Sequence, residues 1–258
     1  MIELNNLYQK YKMISPLTVK AGLLTKVPTI SEKTALKGLY ELTKKFPKFT
    51  ELDFIKDKDE FTLHNKEVDI KKGIFFTIKE YSSFEYTCGI GSNIDFKEEL
   101  INIIDTIEKL FNINAFNIKL IDIRYISISE WEDNYNKIIL NTFFKNSPLS
   151  LLFEPENILN NDLFIRGYLD KNRRVIINIE NNNSDNEILN KKYKNDILKA
   201  TVGIANIDIP LDVKLSETYL QHYNIVYQYI KDKFIPNVLI PLDDVLAKAS
   251  KNKSNEKG

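Results

Sequence analysis

A chain of 258 residues with a single cysteine, Cys88, has no disulfide framework. With two histidines, His64 and His222, it cannot close a structural zinc site without carboxylates. Glycine and proline are scarce at eight each, which excludes a collagen-like repeat. No charge sign prevails, because 36 Lys+Arg meet 36 Asp+Glu, so the general basic excess of a nucleic-acid-coating protein is missing. Arginine is rare: only Arg124, Arg166, Arg173 and Arg174 stand among those 36 basic residues. No run approaches the roughly 18 apolar residues that span a bilayer, and Met1–Lys20 has no basic patch followed by an apolar stretch. A cytoplasmic location with no membrane partner is therefore expected.

What the chain does have is 43% hydrophobic residues, distributed in patterns. A soluble chain of this length buries roughly three quarters of the surface it would expose unfolded, so it needs no metal or disulfide to support its core. Leu17–Thr25 has the pattern of a strand. After it, Ser31 is placed to cap a helix with Leu36, Leu39, Tyr40 and Phe46 on its apolar face, stopped by Pro47. Apolar residues then alternate with polar ones through Phe61 and Leu63, Ile74 to Ile78, and Phe84 to Ile90, the signature of an antiparallel meander with one wet face. Asp95 and Glu98 resemble a capping box ahead of a helical stripe from Phe96 to Phe111.

Period two returns from Phe116 to Ser129, with phase slips at Leu120/Ile121 and Tyr125/Ile126 that predict bulges or burial on both faces. Ser129 and Glu132 form an S-x-x-E box that predicts a helix carrying Trp131, Tyr135, Ile138 and Thr142. The second half predicts a hairpin, Leu163–Leu169 and Arg174–Ile179, across Asp170-Lys171-Asn172, then a strand region from Leu198 to Val213. A helix capped by Ser216 follows. Strands segregated from a few amphipathic helices predict an α+β fold with a mainly antiparallel sheet, either as a single unit or as two similar packed halves. The halves are residues 1–147 and 148–247, meeting near the irregular Pro148–Asp162, with a disordered polar tail over 248–258.

Four places hold residues that could carry chemistry. Asp208, Asp212 and Lys214 are spaced by four and two, even steps that on a strand put them on one face. That stretch resembles the D-x-K pair of metal-dependent nucleases, in which acids hold a divalent cation and the lysine stabilises phosphate charge. Asp170 or Glu180 would supply the further acid, and Mg²⁺ would be the cofactor on this reading alone. The glycine pair of Cys88-Gly89-Ile90-Gly91-Ser92 precedes a capped helix but lacks the Gly-Lys-Ser/Thr of a phosphate loop. Tyr219, Tyr223, Tyr227 and Tyr229 could offer stacking faces to bases or a partner, or pack inside. Arg124, if it lies on a central strand, needs a carboxylate, and Asp122 on the same face is the obvious one.

Three segments together resemble a family of uncharacterised proteins of similar length, distributed sporadically among bacteria and archaea. They are Ser15-Pro16-Leu17-Thr18-Val19, Ile121-Asp122-Ile123-Arg124-Tyr125-Ile126-Ser127, and Ile207-Asp208-Ile209 with the later Leu220-Gln221-His222. The family brings no assigned activity or cofactor, and its patchy distribution implies a mobile-element or host-defence setting.

No constellation in the sequence meets the demands of acid–base, nucleophilic or metal chemistry. The first expectation is therefore a non-enzymatic binding or assembly protein without cofactor, engaging a protein partner or itself, with Arg124, Tyr219 and Tyr223 as binding residues. The alternatives are a divalent-metal nuclease using Asp170, Glu180, Asp212 and Lys214, and a regulator that binds nucleic acid.

Overall fold

The alternating segments do form strands, and these pair into one sheet. The computed structural model describes residues 15–25, 30–66, 73–89, 95–131, 138–139, 142–143, 163–181 and 196–256. Among them are β1 (Ser15–Thr25), β2 (Glu51–Ile55), β3 (Glu60–His64), β4 (Ile74–Lys79), β5 (Ser83–Gly89), β6 (Ile118–Trp131), β7 (Leu163–Asp170), β8 (Arg173–Asn181) and β9 (Asp196–Asn206). They lie in the order β2-β3-β4-β5-β1-β6-β9-β8-β7, every neighbouring pair antiparallel. The fold is α+β with a mainly antiparallel sheet, as the pattern predicts.

The chain traces the same path twice. In each wing the first strand, β1 or β6, lies at the centre, and the last, β5 or β9, returns beside it before an amphipathic helix follows. By topology the second wing opens at β6, within the residues that the sequence pattern assigns to the first half. The expected seam at Pro148–Asp162 lies outside the described residues.

The helices are α1 (Glu32–Lys45), α2 (Phe96–Phe111), α3 (Leu215–Tyr229) and α4 (Ile240–Glu256), with a wider i→i+5 helix over Ile230–Leu239 joining the last two. They share one core with one sheet face: Ala21 and Leu23, Ile74 to Ile78 at alternate positions, Phe84, Tyr86, Cys88, Ile121, Ile123, Tyr125, Val202 and Ile204 are all buried. Ser31 caps α1 through Thr34 N–H, and Asp95 caps α2 by accepting from the amides of Lys97 and Glu98. The buried stripe of α1 is Ala35, Gly38, Leu39 and Leu42, whereas Leu36 and Tyr40, expected inside, are exposed. Gly38 explains the rotation, because a Cβ there would lie 2.2 Å from Phe111 Cε1, so α1 docks on α2 through its smallest residues.

Four expectations are corrected. β6 runs on to Trp131, since Ser129 and Trp131 pair with Leu198 and Asp196 of β9, and the ladder overrides the local capping signal. The strand expected to reach Val213 ends at Asn206, where both neighbours stop pairing, at Ile121 on β6 and Arg173 on β8. Ser216 lies inside α3, whose cap position is Lys214. Lys248–Glu256, expected in a disordered tail, continue α4: no glycine or proline follows Pro241 before Glu256, and Ala247, Lys248 and Ala249 favour helix. The widened turns before α4 accommodate Pro236, which lacks an N–H and cannot fit a regular α-helical interior.

α3 is held to the sheet by two polar side chains. The Tyr219 hydroxyl donates to Gly22 O at 2.6 Å, and His222 Nε2 donates to Ile204 O at 2.8 Å. Burial lowers the His222 pKa to about 4, only partly opposed by that bond, and Nδ1 is buried with no partner among the described residues. A histidine depressed from 6.5 is neutral in both states above pH 6.5, whereas between 6.5 and about 4 the unfolded chain takes up a proton that the folded chain refuses. Stability should thus fall through that window, by about 3 kcal/mol when complete. Thermal unfolding of His222→Gln should show a shallower decline between those pH values than the parent, and identical slopes would refute the assignment.

Candidate functional site on the helix-free sheet face

Because strand residues alternate, each inward side chain has neighbours on the opposite face, and among the described residues no helix covers that second face. The registers order it into rows. One runs Glu51, His64, Phe75, Thr87, Lys20, Arg124, Gly203, Ile176, Arg166. The next runs Asp53, Thr62, Thr77, Glu85, Gly22, Asp122, Ala205, Arg174, Tyr168.

The centre is a lattice of half-buried ion pairs. Lys20 Nζ lies 2.7 Å from Glu85 Oε2, which also takes Lys79 Nζ at 3.0 Å, and Arg124 Nε donates to Asp122 Oδ2 at 2.5 Å. Burial pushes the Lys20 ammonium below its ordinary value despite Glu85. Burial works to raise Glu85, but Lys20 and Lys79 outweigh it and hold the carboxyl low. For Asp122 burial wins, and its carboxyl lies above the ordinary value even with Arg124 alongside.

Two glycines make room for the Asp122–Arg124 pair. A Cβ on Gly22 would lie 2.0 Å from Asp122 Oδ1, and one on Gly203 would lie 3.1 Å from Arg124 Cγ. Arg124 commits Nε to Asp122, and its terminal amino groups make no hydrogen bond among the described residues, on a side chain 47% exposed.

The face is polarised. Strands β2 to β5 carry Glu51, Asp53, Glu60 and Glu85 against Lys79. Among strand residues whose side chains are described, β1 and β6 to β9 carry Lys20, Arg124, Lys199, Arg166 and Arg174 against Asp122 and Glu180. Three of the chain's four arginines therefore gather on one half-face. Arg166 lies 5.0 Å from the Phe164 ring and Arg174 lies 5.8 Å from the Tyr168 ring, both rings exposed at 52% and 70%. Neither arginine has a carboxylate within ion-pair distance among the described residues.

The residues singled out from sequence are scattered. Asp170 closes the β7–β8 turn, accepting the amides of Asn172 and Arg173 and the Arg173 guanidinium, which hold its carboxyl below the ordinary value. Glu180 pairs with Lys199 at 2.6 Å and accepts from Asn178. It stands seven residues beyond Arg173 on β8, roughly 23 Å along the strand from the Asp170 end. Asp208, Asp212 and Lys214 lie past the end of β9, off any strand, and Asp208 accepts from Asn172. Asp170 and Glu180 thus cannot share a cation, and among the described residues no group of three or more His, Cys, Asp or Glu could hold a metal. Tyr219 and Tyr223 are buried in the core and present no stacking face. Arg124 does reach the open face, with Asp122 as its partner. The sequence reasoning passed over Phe164, Arg166, Tyr168 and Arg174, although alternation of aromatic and rare arginine within one hairpin was the available signal.

No protein-family model and no curated protein matches the chain. Among solved structures it is similar to Methanococcus jannaschii TBP at 14% identity and a TM-score of 0.27, over 85% of this chain and 99% of that one. A score at this level carries no weight for ligand or mechanism, so the face is read from its own residues.

Gly22→Ala should displace the Asp122 carboxylate and break its pair with Arg124, lowering stability by about 1–3 kcal/mol. Gly167→Ala, with nothing near its Cβ position, should be close to neutral. Denaturant unfolding checks both, and an unchanged midpoint for Gly22→Ala would refute the steric role.

Proposed function

We propose that the protein is a binding protein whose arginine and aromatic half-face takes single-stranded nucleic acid. One observation carries this: Arg166, Arg174 and the outer part of Arg124 share a face with Phe164 and Tyr168, while the neighbouring lysines are occupied by carboxylates. Arginine forks suit phosphate oxygens, and exposed rings suit unpaired bases, which stack without regard to sequence. The chain's overall neutrality fits a local patch better than a coating surface.

Fluorescence anisotropy with short labelled oligothymidylate and oligouridylate, across a salt series, tests this. Binding should weaken with salt, with a slope of about 0.7 per phosphate contact. R166A/R174A should weaken binding and flatten that slope. F164A/Y168A should cost about 1–3 kcal/mol per stacked base and leave the slope unchanged. Duplex of the same length should compete poorly. No binding at low salt, or parent-like binding by both double variants, would overturn the proposal.

A further inference from the structure

The sheet's two terminal strands are complementary. Among the described residues β2 and β7 each pair with one neighbour, so each offers an unpaired row of backbone donors and acceptors, separated by roughly 38 Å of sheet. Both strands are exposed along almost their whole length. On the helix side β2 exposes Leu52 and Phe54, and β7 exposes Ile165 and Leu169. On the open side β2 carries Glu51 and Asp53, the latter also accepting from His64 Nε2 at 3.0 Å, whereas β7 carries Arg166.

We infer that copies of this chain associate edge to edge, β2 of one copy pairing with β7 of the next. Charge selects this arrangement over its two-fold alternatives: β2 against β2 would oppose acids, and β7 against β7 would oppose arginines, whereas β2 against β7 sets Glu51 and Asp53 beside Arg166. The apolar residues of both edges come together on the helix side. Strand direction is fixed as well. Nine strands alternating without exception leave the terminal two pointing the same way, so copies that keep their helices on one side pair β2 and β7 in parallel. The contact is heterologous and leaves one free edge of each kind, so growth is head to tail.

Sedimentation velocity of the full chain over a wide concentration range tests this, with thermal unfolding as the check on folding. The parent should sediment faster with concentration, and less so at high salt. E51K/D53K and R166E should each unfold like the parent yet shift association to about tenfold higher concentration or more. An equimolar mixture of the two should restore association, because Lys on β2 then meets Glu on β7. Parent protein that stays monomeric throughout, or an oligomer that neither variant weakens, would overturn the inference. E51K/D53K lies at the far end of the sheet from the arginine and aromatic patch, so its oligonucleotide binding separates failure of this inference from failure of the nucleic-acid reading.

Discussion

The antiparallel pairing of β1 with β6 is the joint from which both wings of the sheet hang. One wing continues through β5, β4, β3 and β2, the other through β9, β8 and β7, and no other described strand pair connects them. The joint is long, with strands of 11 and 14 residues, and its register slips near each end, between Pro16 and Thr18 and between Leu24 and Thr25. Such irregularities increase local twist and fix the pairing frame. On the core side the joint presents Ala21, Leu23, Ile121 and Ile123, and the Tyr219 hydroxyl reaches Gly22 O across the core, tying α3 to it. A slip of one residue would turn those apolar side chains outward and bring Asp122 and Arg124 into the core, so burial sets the register.

The same alternation makes the open face polar. A sheet wet on one side must satisfy its charges within a crowded surface, and the centre does so with Lys20, Glu85, Lys79, Asp122 and Arg124. Asp122 is the expensive member, buried with a raised pKa, and it fits beside Gly22 because one missing side chain makes room for another. Neutralisation at the centre leaves the unbalanced charge at the margins, acid toward β2 and arginine toward β7. That polarity gives the molecule both a cationic, ring-bearing surface and two complementary ends.

Sequence periodicity located the meander, α2, the β7–β8 hairpin and the Asp122–Arg124 pair, because each is written in short-range spacing. It misplaced what depends on distant neighbours. The S-x-x-E box at Ser129 lost to cross-strand bonding with Leu198 and Ile197, and the D-x-K spacing meant nothing once β9 ran out of partners at Asn206. The tyrosines of α3 were open to two interpretations, since amphipathic spacing shows which residues share a stripe but not what that stripe packs against.

The sequence by itself determined the class of the fold, the antiparallel pairing of its local strands and the absence of a disulfide framework, because alternation, turn residues and composition act within a few residues. Only the tertiary structure decided that β1 and β6 pair across about a hundred residues, that Asp170 and Glu180 stand apart, and that Arg124, Arg166 and Arg174 share a face with Phe164 and Tyr168. Strand order across a sheet is set by which buried faces and ladders can be satisfied together, and that is a property of the whole chain.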